Sequence, residues 1–146
     1  MQIVGFNFKK ISAERVLEEY LTNVNYSIDF LNIEKIRINS IEKEVIKFYF
    51  SYLIKYSLKE DSKKQKENKK SNEVCFEGEI FVSTTEQESE IIFKSWKKKE
   101  VPLNIKIFLI NFILRKCAPI ALMLEDEVNI PYHMPVPQLS QIEDKK

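Results

Sequence analysis

Alternating apolar and polar side chains dominate the first half of the chain. The clearest run covers residues 45–58, where every second side chain from Ile46 to Tyr56 is large and apolar, with Lys47 and Lys55 between them. Such alternation predicts a strand with one buried face and one solvated face. Shorter runs of the same kind predict three more strands, over residues 2–8, 24–30 (continuing toward residue 38) and 74–82.

The segments around these strands carry weaker signals. Residues 11–21 place apolar side chains at helical spacing after Ser12, a candidate N-cap, which indicates a connecting segment with helical character. Residues 59–72 contain almost nothing apolar, so burial cannot offset the entropy of ordering them, and a flexible solvated loop is expected. Gly78 inside the last strand indicates a bulge or the close approach of another backbone.

One apolar helix dominates the C-terminal third. Residues 105–123 are apolar over most of the helical circumference, and a narrow polar stripe is formed by Asn104, Asn111 and Arg115. A short amphipathic helix or turn is expected before it, over residues 89–99.

Prolines and acidic residues mark the limits of the long helix. Pro102 fits the opening of the helix, whereas Pro119 should loosen or kink it. The acidic residues 125–127 end the apolar pattern. Three prolines follow, so residues 129–146 are expected to form an extended tail.

This helix has more apolar surface than one sheet can cover. A second layer is needed, and another copy of the same protein is the simplest source, so we expect a homo-oligomer, either a dimer or a tetramer. A membrane span is not expected, because a central Lys or Arg such as Lys106 or Arg115 costs about 2.5–3.5 kcal/mol on insertion. The residues assigned to the contact between copies are Ile105, Phe108, Leu109, Phe112 and Ile113.

Composition restricts the chemistry. A formal net charge of +1 lacks the basic excess of a dedicated nucleic-acid-binding protein, and 2 Gly and 1 His are too few for a glycine-rich phosphate loop or a multi-histidine metal site. Cys75 and Cys117 lie in segments with strand and helix patterns, which is typical of buried reduced thiols, and no secretory signal is visible. We therefore expect a cytoplasmic protein that is not an enzyme and uses no metal or cofactor.

Three further features allow both a structural and a functional interpretation. His133 has no Ser, Cys or acidic partner at an interpretable spacing, which favours a structural role over catalysis. The lysines within residues 59–72 are interrupted by acidic residues and have no aromatic residue among them, which favours a solvated loop over nucleic-acid binding. Glu77 and Glu79 share one strand face and are more typical of a solvated face than of a catalytic acid pair.

The order of these elements predicts an α+β fold in which an antiparallel four-stranded sheet packs on one long C-terminal helix, within a single domain over residues 1–146. Four short motifs accompany that order: FNFKKIS at 6–12, GEIFV at 78–82, RKC at 115–117, and Ile-Pro at 130–131 followed by Pro-Val at 135–136. Together they resemble the opening strand, the glycine-isoleucine-phenylalanine strand, the Arg-x-Cys helix step and the proline-bearing tail of the SecB-like export chaperones.

The resemblance implies an ATP-independent holdase, which binds unfolded polypeptides in apolar surface grooves and is usually a dimer of dimers with helices between sheets. Protein export is the setting that the family suggests. For the aromatic residues on strands, a place in the core is the default alternative to client binding. The residues assigned to client binding are Phe6, Phe8, Tyr20, Tyr26, Phe30, Tyr132 and Met134.

The chain also departs from this family. Lys10, Glu14 and Val74 stand where the family presents acidic groups to the SecA motor, and only Glu14 is acidic, which argues against a SecA-type partner. The family's second helix would be represented by residues 138–146 alone. Two alternatives from other classes stay open: an adaptor or toxin–antitoxin-associated chaperone that binds one specific protein, and a nucleic-acid binder that uses residues 59–72.

Overall fold

Four antiparallel strands and two helices make up the described part of the chain. The structure is a computed structural model and describes residues 1–16, 23–36, 44–57, 72–135 and 137. It confirms an α+β protein with a four-stranded antiparallel sheet and a long C-terminal helix. The elements are β1 (Gln2–Glu14), β2 (Asn23–Ile36), β3 (Glu44–Ser57), β4 (Asn72–Thr84), α1 (Glu86–Trp96) and α2 (Leu103–Glu127).

The strands form a Greek key. Their order is β1-β4-β3-β2, so β1 and β2, which are consecutive in sequence, form opposite edges of the sheet. The pairing of each edge strand is irregular, between Phe8 and Lys10 in β1 and between Phe30 and Asn32 in β2. Such irregularities twist an edge strand and make it a poorer template for uncontrolled pairing with other chains.

β3 supplies the centre of the hydrophobic core. Its alternate residues from Ile46 to Tyr56 are at most 1% exposed, which confirms the predicted buried face. β4 extends this face with Val74, Phe76 and Ile80, and α2 packs on the same face. Full burial of one such side chain contributes about 1.5–3 kcal/mol, so this layer is the main source of stability.

Gly78 lies where two neighbouring strands come unusually close. A Cβ atom at this position would lie 2.5 Å from the carbonyl oxygen of Asn7 and 2.9 Å from the ring of Phe50. Gly78 pairs with Phe8, immediately before the irregularity that ends at Lys10. The predicted close approach is therefore confirmed, and the irregularity is in β1, on the opposite strand.

α2 buries a single row of residues spaced four apart. The row ends with Glu125, which lies beyond the predicted end of the helix, and the helix continues through Pro119 to Glu127. Asn104, Asn111 and Arg115 are exposed, as the polar stripe predicted. The buried residues are Ile105, Leu109, Ile113, Cys117, Ala121 and Glu125.

Two predictions are wrong in the region where β1 ends and β4 begins. Residues 11–14 belong to β1 and pair with β4, so no helix begins at Ser12, which pairs with Cys75. A partner strand satisfies the backbone groups along this whole segment, and that outweighs the local helical spacing. Asn72, assigned to the loop, is instead the buried first residue of β4.

α1 begins three residues earlier than predicted because Thr85 caps it. The Thr85 hydroxyl accepts a hydrogen bond from the backbone N–H of Glu88 at 3.2 Å, and the Glu88 carboxylate lies 3.1 Å from the same hydroxyl. Thr-x-x-Glu is the sequence signature of a capping box, so this helix start was readable from the sequence.

The sheet face away from α2 carries a charged cluster. Lys47 and Lys9 approach the carboxylate of Glu79 at 2.7 and 3.3 Å, and the ammonium of Lys47 also lies over the rings of Tyr49 and Phe81. Partial desolvation opposes ionisation of Glu79, but the hydrogen bonds from the two lysines outweigh it and lower the pKa of that carboxyl. Glu79 is thus an ion-pair partner rather than half of an acid pair.

Several predictions concern residues outside the described ranges. These are the assignment of Tyr20 to client binding, the proposed loop over residues 59–71, and the fate of residues 138–146. Within residues 129–135 and 137 there is no helix or strand.

Candidate binding groove

An apolar groove separates α2 from the edge strand β2. Its volume is about 520 Å³, within the range of small-molecule and peptide sites. β2 and β3 form one wall, the middle of α2 the second, and the start of the tail closes one end. The lining residues are Tyr26, Ile28, Tyr52, Leu114, Arg115, Ala118, His133 and Met134.

The turn after α2 folds the tail back onto this groove. Asn129 adopts a left-handed conformation (φ 56°), and the backbone N–H of Ile130 donates to the carbonyl of Glu125 at 3.0 Å. This is a Schellman-type helix end, and Ile130 is buried beside it. The tail therefore reverses direction and brings His133 next to the last turn of α2.

A buried carboxylate fixes the tail in place. Glu125 is fully buried and accepts hydrogen bonds from the Tyr56 hydroxyl and from the backbone N–H of His133, the latter at 2.9 Å. Its other oxygen lies 2.8 Å from Nδ1 of His133. A buried charge is stable only with such a full set of partners, so Glu125 ties β3, α2 and the tail together.

Tyr26 connects the same end of the groove to the edge of the sheet. Its hydroxyl donates to the backbone carbonyl of His133, and the two rings meet edge to face at 6.1 Å. Burial and the nearby charge of Glu125 raise the pKa of Tyr26, so its proton stays on the hydroxyl at neutral pH. The ring nevertheless remains 53% exposed along the groove.

Tyr52 lies at the floor of the groove with an unused hydroxyl. The residue is 1% exposed, and its hydroxyl makes no hydrogen bond among the residues that the structure describes. Burial, followed by the influence of Cys117, Tyr26 and Glu125, raises the pKa of Tyr52, which keeps the proton on the oxygen. A buried hydroxyl without a partner is rare and calls for an explanation.

Neither a thiolate at neutral pH nor a metal-binding cluster is found at the groove among the described residues. Cys117 is the nearest thiol, but it is fully buried, and burial raises its pKa to about 12, so no thiolate nucleophile forms at neutral pH. Across the described ranges, no cluster of three or more His, Cys, Asp or Glu side chains could hold a metal ion. The arrangement is suited to binding an apolar chain with a few polar contacts.

Only part of the predicted client-binding set lies at the groove. Tyr26 and Met134 line it, whereas Tyr132 points elsewhere and donates to Asp126 at 3.1 Å. Phe6 and Phe8 lie at the other edge of the sheet, where Phe6 packs against Phe50 and Phe112 and Phe8 against Phe76. These two are half-buried core residues, the default that sequence reasoning also allowed.

Phe30 borders a second, smaller cavity. It packs against Phe48 and lines a space of about 330 Å³ together with Trp96, Lys99 and Leu103. Ile28 belongs to the lining of both cavities, so the two spaces are neighbours along β2. The two cavities thus follow β2 from the tail toward the N-terminal end of α2, and the second one is more polar because Asp29, Glu100 and Lys106 also line it.

Outside its buried row, α2 also exposes apolar groups. Only 22% of its most apolar 18-residue stretch is buried, and by length and composition the helix could also cross a membrane. Leu103 is 72% exposed, more than any other large apolar residue of α2. The exposed apolar residues of α2 are Leu103, Ile107, Phe108, Leu114 and Met123, and we call them the outer apolar face.

This packing changes which residues a second copy could contact. Of the five assigned to such a contact, Ile105, Leu109 and Ile113 are buried in the subunit's own core, Phe112 is half-buried, and Phe108 is exposed. Because α2 is apolar around most of its circumference, the sequence does not indicate which side packs on the sheet of the same subunit. Ile105, Leu109 and Ile113 are therefore not available to a second copy, whereas Phe108 is.

Sequence reasoning missed the polar end of the groove. It read Glu125 as the end of the apolar pattern and found no acidic partner for His133, yet the two lie 2.8 Å apart. Continuing the four-residue spacing from Leu109 and Ala121 would have put Glu125 on the buried side, where a carboxylate must have partners.

Comparisons with known proteins do not assign this chain to a family. A scan against protein-family models found no match to this chain, and searches of curated proteins and of solved structures found none either.

Proposed function

We propose that this protein is an ATP-independent holdase that binds unfolded polypeptides on the outer apolar face and in the groove beside β2. The observation that carries the proposal is the exposure of α2, whose residues Leu103, Ile107, Phe108, Leu114 and Met123 are each at least 38% exposed in the single chain. A soluble protein rarely exposes a large contiguous apolar surface unless something binds there. The resemblance to SecB-like chaperones, drawn from the sequence, supports the same function.

The chemistry of the surface suits clients of many sequences. Burial of apolar area is non-directional, so it does not require a fixed pattern of partner groups. Met123 and Met134 add flexible, polarizable side chains that adapt to different shapes. Such a surface needs neither a nucleotide nor a catalytic residue to hold an unfolded chain.

Homo-oligomerisation is part of the proposal. A second copy packed on part of the outer apolar face would cover some of what the first copy leaves exposed, and the rest of that face and the grooves beside β2 would remain for clients. Light scattering with a measured mass tests this directly: a dimer or tetramer is expected, and a monomer at micromolar concentration would remove the oligomer from the proposal.

The central test is suppression of aggregation without ATP. A denatured enzyme is diluted from guanidinium chloride into buffer with a stoichiometric amount of the protein, and light scattering is followed. We expect wild type to suppress aggregation and Leu114→Asp, at the groove, to reduce suppression several-fold. Asn111→Asp is the matched control, because it places the same charge at an exposed position one turn away. No suppression by wild type at any ratio would end the proposal.

Two further measurements separate the other functions. Unrelated unfolded peptides should compete with the client, whereas an adaptor for one specific protein would ignore them. Sedimentation with lipid vesicles tests α2 as a membrane helix, and the holdase predicts that the protein stays in the supernatant.

A further inference from the structure

Two polar groups at the groove are left without partners. The Tyr52 hydroxyl is buried and unbonded within the described residues. His133 uses Nδ1 and its backbone N–H to bind Glu125, and over the same ranges its Nε2 makes no hydrogen bond. Both residues belong to the groove lining, where the other side chains are mainly apolar.

These two groups offer complementary hydrogen bonds. A carboxylate beside Nδ1 favours the proton on that nitrogen, so Nε2 of the neutral imidazole is an acceptor. The Tyr52 hydroxyl is a donor that burial keeps protonated. An occupant that satisfies both therefore needs an acceptor and a donor on an otherwise apolar body.

The peptide group has this combination at every residue. Each main-chain unit carries one C=O acceptor and one N–H donor, whatever the side chain. An extended client next to β2 would present such groups at regular intervals and direct alternate side chains toward Leu114, Ala118 and Met134.

We infer that the groove binds the main chain of an extended client segment, with the Tyr52 hydroxyl donating to a peptide C=O and Nε2 of His133 accepting from a peptide N–H. This inference rests on the proposed holdase function and deepens it. It explains how a surface that accepts many sequences still fixes the position of the bound chain, since main-chain groups are common to all of them. Arg115 is exposed and belongs to the groove lining, so its guanidinium is available to donate to further client carbonyls.

The test uses Tyr52→Phe, which removes one oxygen atom and keeps the ring. Its matched control is Tyr132→Phe, which removes a tyrosine hydroxyl that lies outside the groove and is bonded to Asp126. Affinity is measured by fluorescence anisotropy with a labelled, permanently unfolded peptide of alternating apolar residues. We expect Tyr52→Phe to bind about 3- to 10-fold more weakly and Tyr132→Phe to bind like wild type.

A backbone-modified peptide provides the decisive comparison. A set of peptides, each with one amide replaced by an ester, loses one N–H and weakens one C=O at a known place. At one position in the set, the ester should weaken binding to wild type several-fold but add little to the loss in Tyr52→Phe, because the same contact is already gone. Ester effects that are equal in wild type and Tyr52→Phe at every position would overturn the inference.

The outcomes distinguish a failure of this inference from a failure of the proposed holdase function. If wild type and Tyr52→Phe bind the peptide equally while wild type suppresses aggregation, the main-chain contact is wrong and the holdase stands. If wild type neither binds the peptide nor suppresses aggregation, the holdase itself fails. Thermal unfolding of the ligand-free variants completes the set: Tyr52→Phe should melt no lower than wild type, and a lower melting temperature would show that the hydroxyl already has a partner inside the protein.

Discussion

Glu125 at the end of α2 accepts a hydrogen bond from the hydroxyl of Tyr56 in β3. Both residues are fully buried, so this contact joins helix and sheet where neither partner can turn to water instead. Burial, reinforced by the hydrogen bond to Glu125, raises the pKa of Tyr56 and keeps it neutral. The same carboxylate also binds the tail, so Glu125 joins the helix, the sheet and the tail at the closed end of the groove.

Replacing Glu125 with Ala should strongly destabilise the protein. The change leaves the Tyr56 hydroxyl buried without an acceptor and removes two contacts from His133. Leaving a buried hydrogen-bonding group without its partner costs about 1–3 kcal/mol, and more where the lost partner is charged. Urea unfolding should show a lower midpoint by a corresponding amount.

Asp126→Ala is the control for Glu125→Ala. Asp126 is adjacent in sequence but exposed, and its carboxylate accepts a hydrogen bond from the Tyr132 hydroxyl. We expect a change within about 1 kcal/mol. Equal losses for the two variants would mean that Glu125 does not fix the tail.

The buried face of β3 was predictable, whereas the buried side of α2 was not. A strand has only two faces, so alternation from Ile46 to Tyr56 identifies the inner one at once. Around α2, Phe108 and Leu109 are equally apolar, yet Leu109 is buried and Phe108 is exposed. The sheet's position selects between them, and periodicity carries no information about that position.

The polar end of the groove depends on a turn that local patterns do not specify. His133 reaches Glu125 because Asn129 takes a left-handed conformation and reverses the chain. Asn tolerates a left-handed conformation, but an Asn in the sequence does not by itself predict one. The three prolines of the tail indicated only an extended segment. The Tyr52 hydroxyl has no sequence signal, since an unpartnered group is recognised only once its surroundings are known.

Gly78→Ala should destabilise the sheet. The new Cβ would lie 2.5 Å from the backbone oxygen of Asn7, and a backbone atom in a paired strand cannot move aside without breaking the pairing. Overpacking of this kind costs about 1–3 kcal/mol. Gly5→Ala is the comparison, because its Cβ would meet only the side chain of Phe81, at 3.1 Å, and should cost less in thermal unfolding. The reverse order would contradict the register of β1 on β4.

Acid should weaken the protein partly through Glu79. Its pKa is lower in the folded state than the ordinary value of 4.5, so its ion pairs stabilise the fold above that value and are lost as pH falls through the folded pKa. Urea midpoints measured from pH 6 to pH 3 should therefore fall less steeply in Glu79→Gln than in wild type. Glu77→Gln, on the same strand face, is the control for the removal of one carboxylate, and a slope for Glu79→Gln identical to that of wild type would exclude this role.

Cys117 should resist alkylation in the folded protein. Its side chain is fully buried and its pKa is raised to about 12 from 9.0, so at pH 8 the thiolate that reacts with iodoacetamide forms only on unfolding. Because the folded pKa is the higher one, this thiol stabilises the fold fully below pH 9 and progressively less toward pH 12. Mass spectrometry of the Cys75→Ser variant isolates Cys117: modification should be at least 100-fold slower than in urea, where the thiol is exposed. Rapid modification of the native variant would show that the row of residues under α2 is open to solvent, which would contradict the packing on which the groove is built.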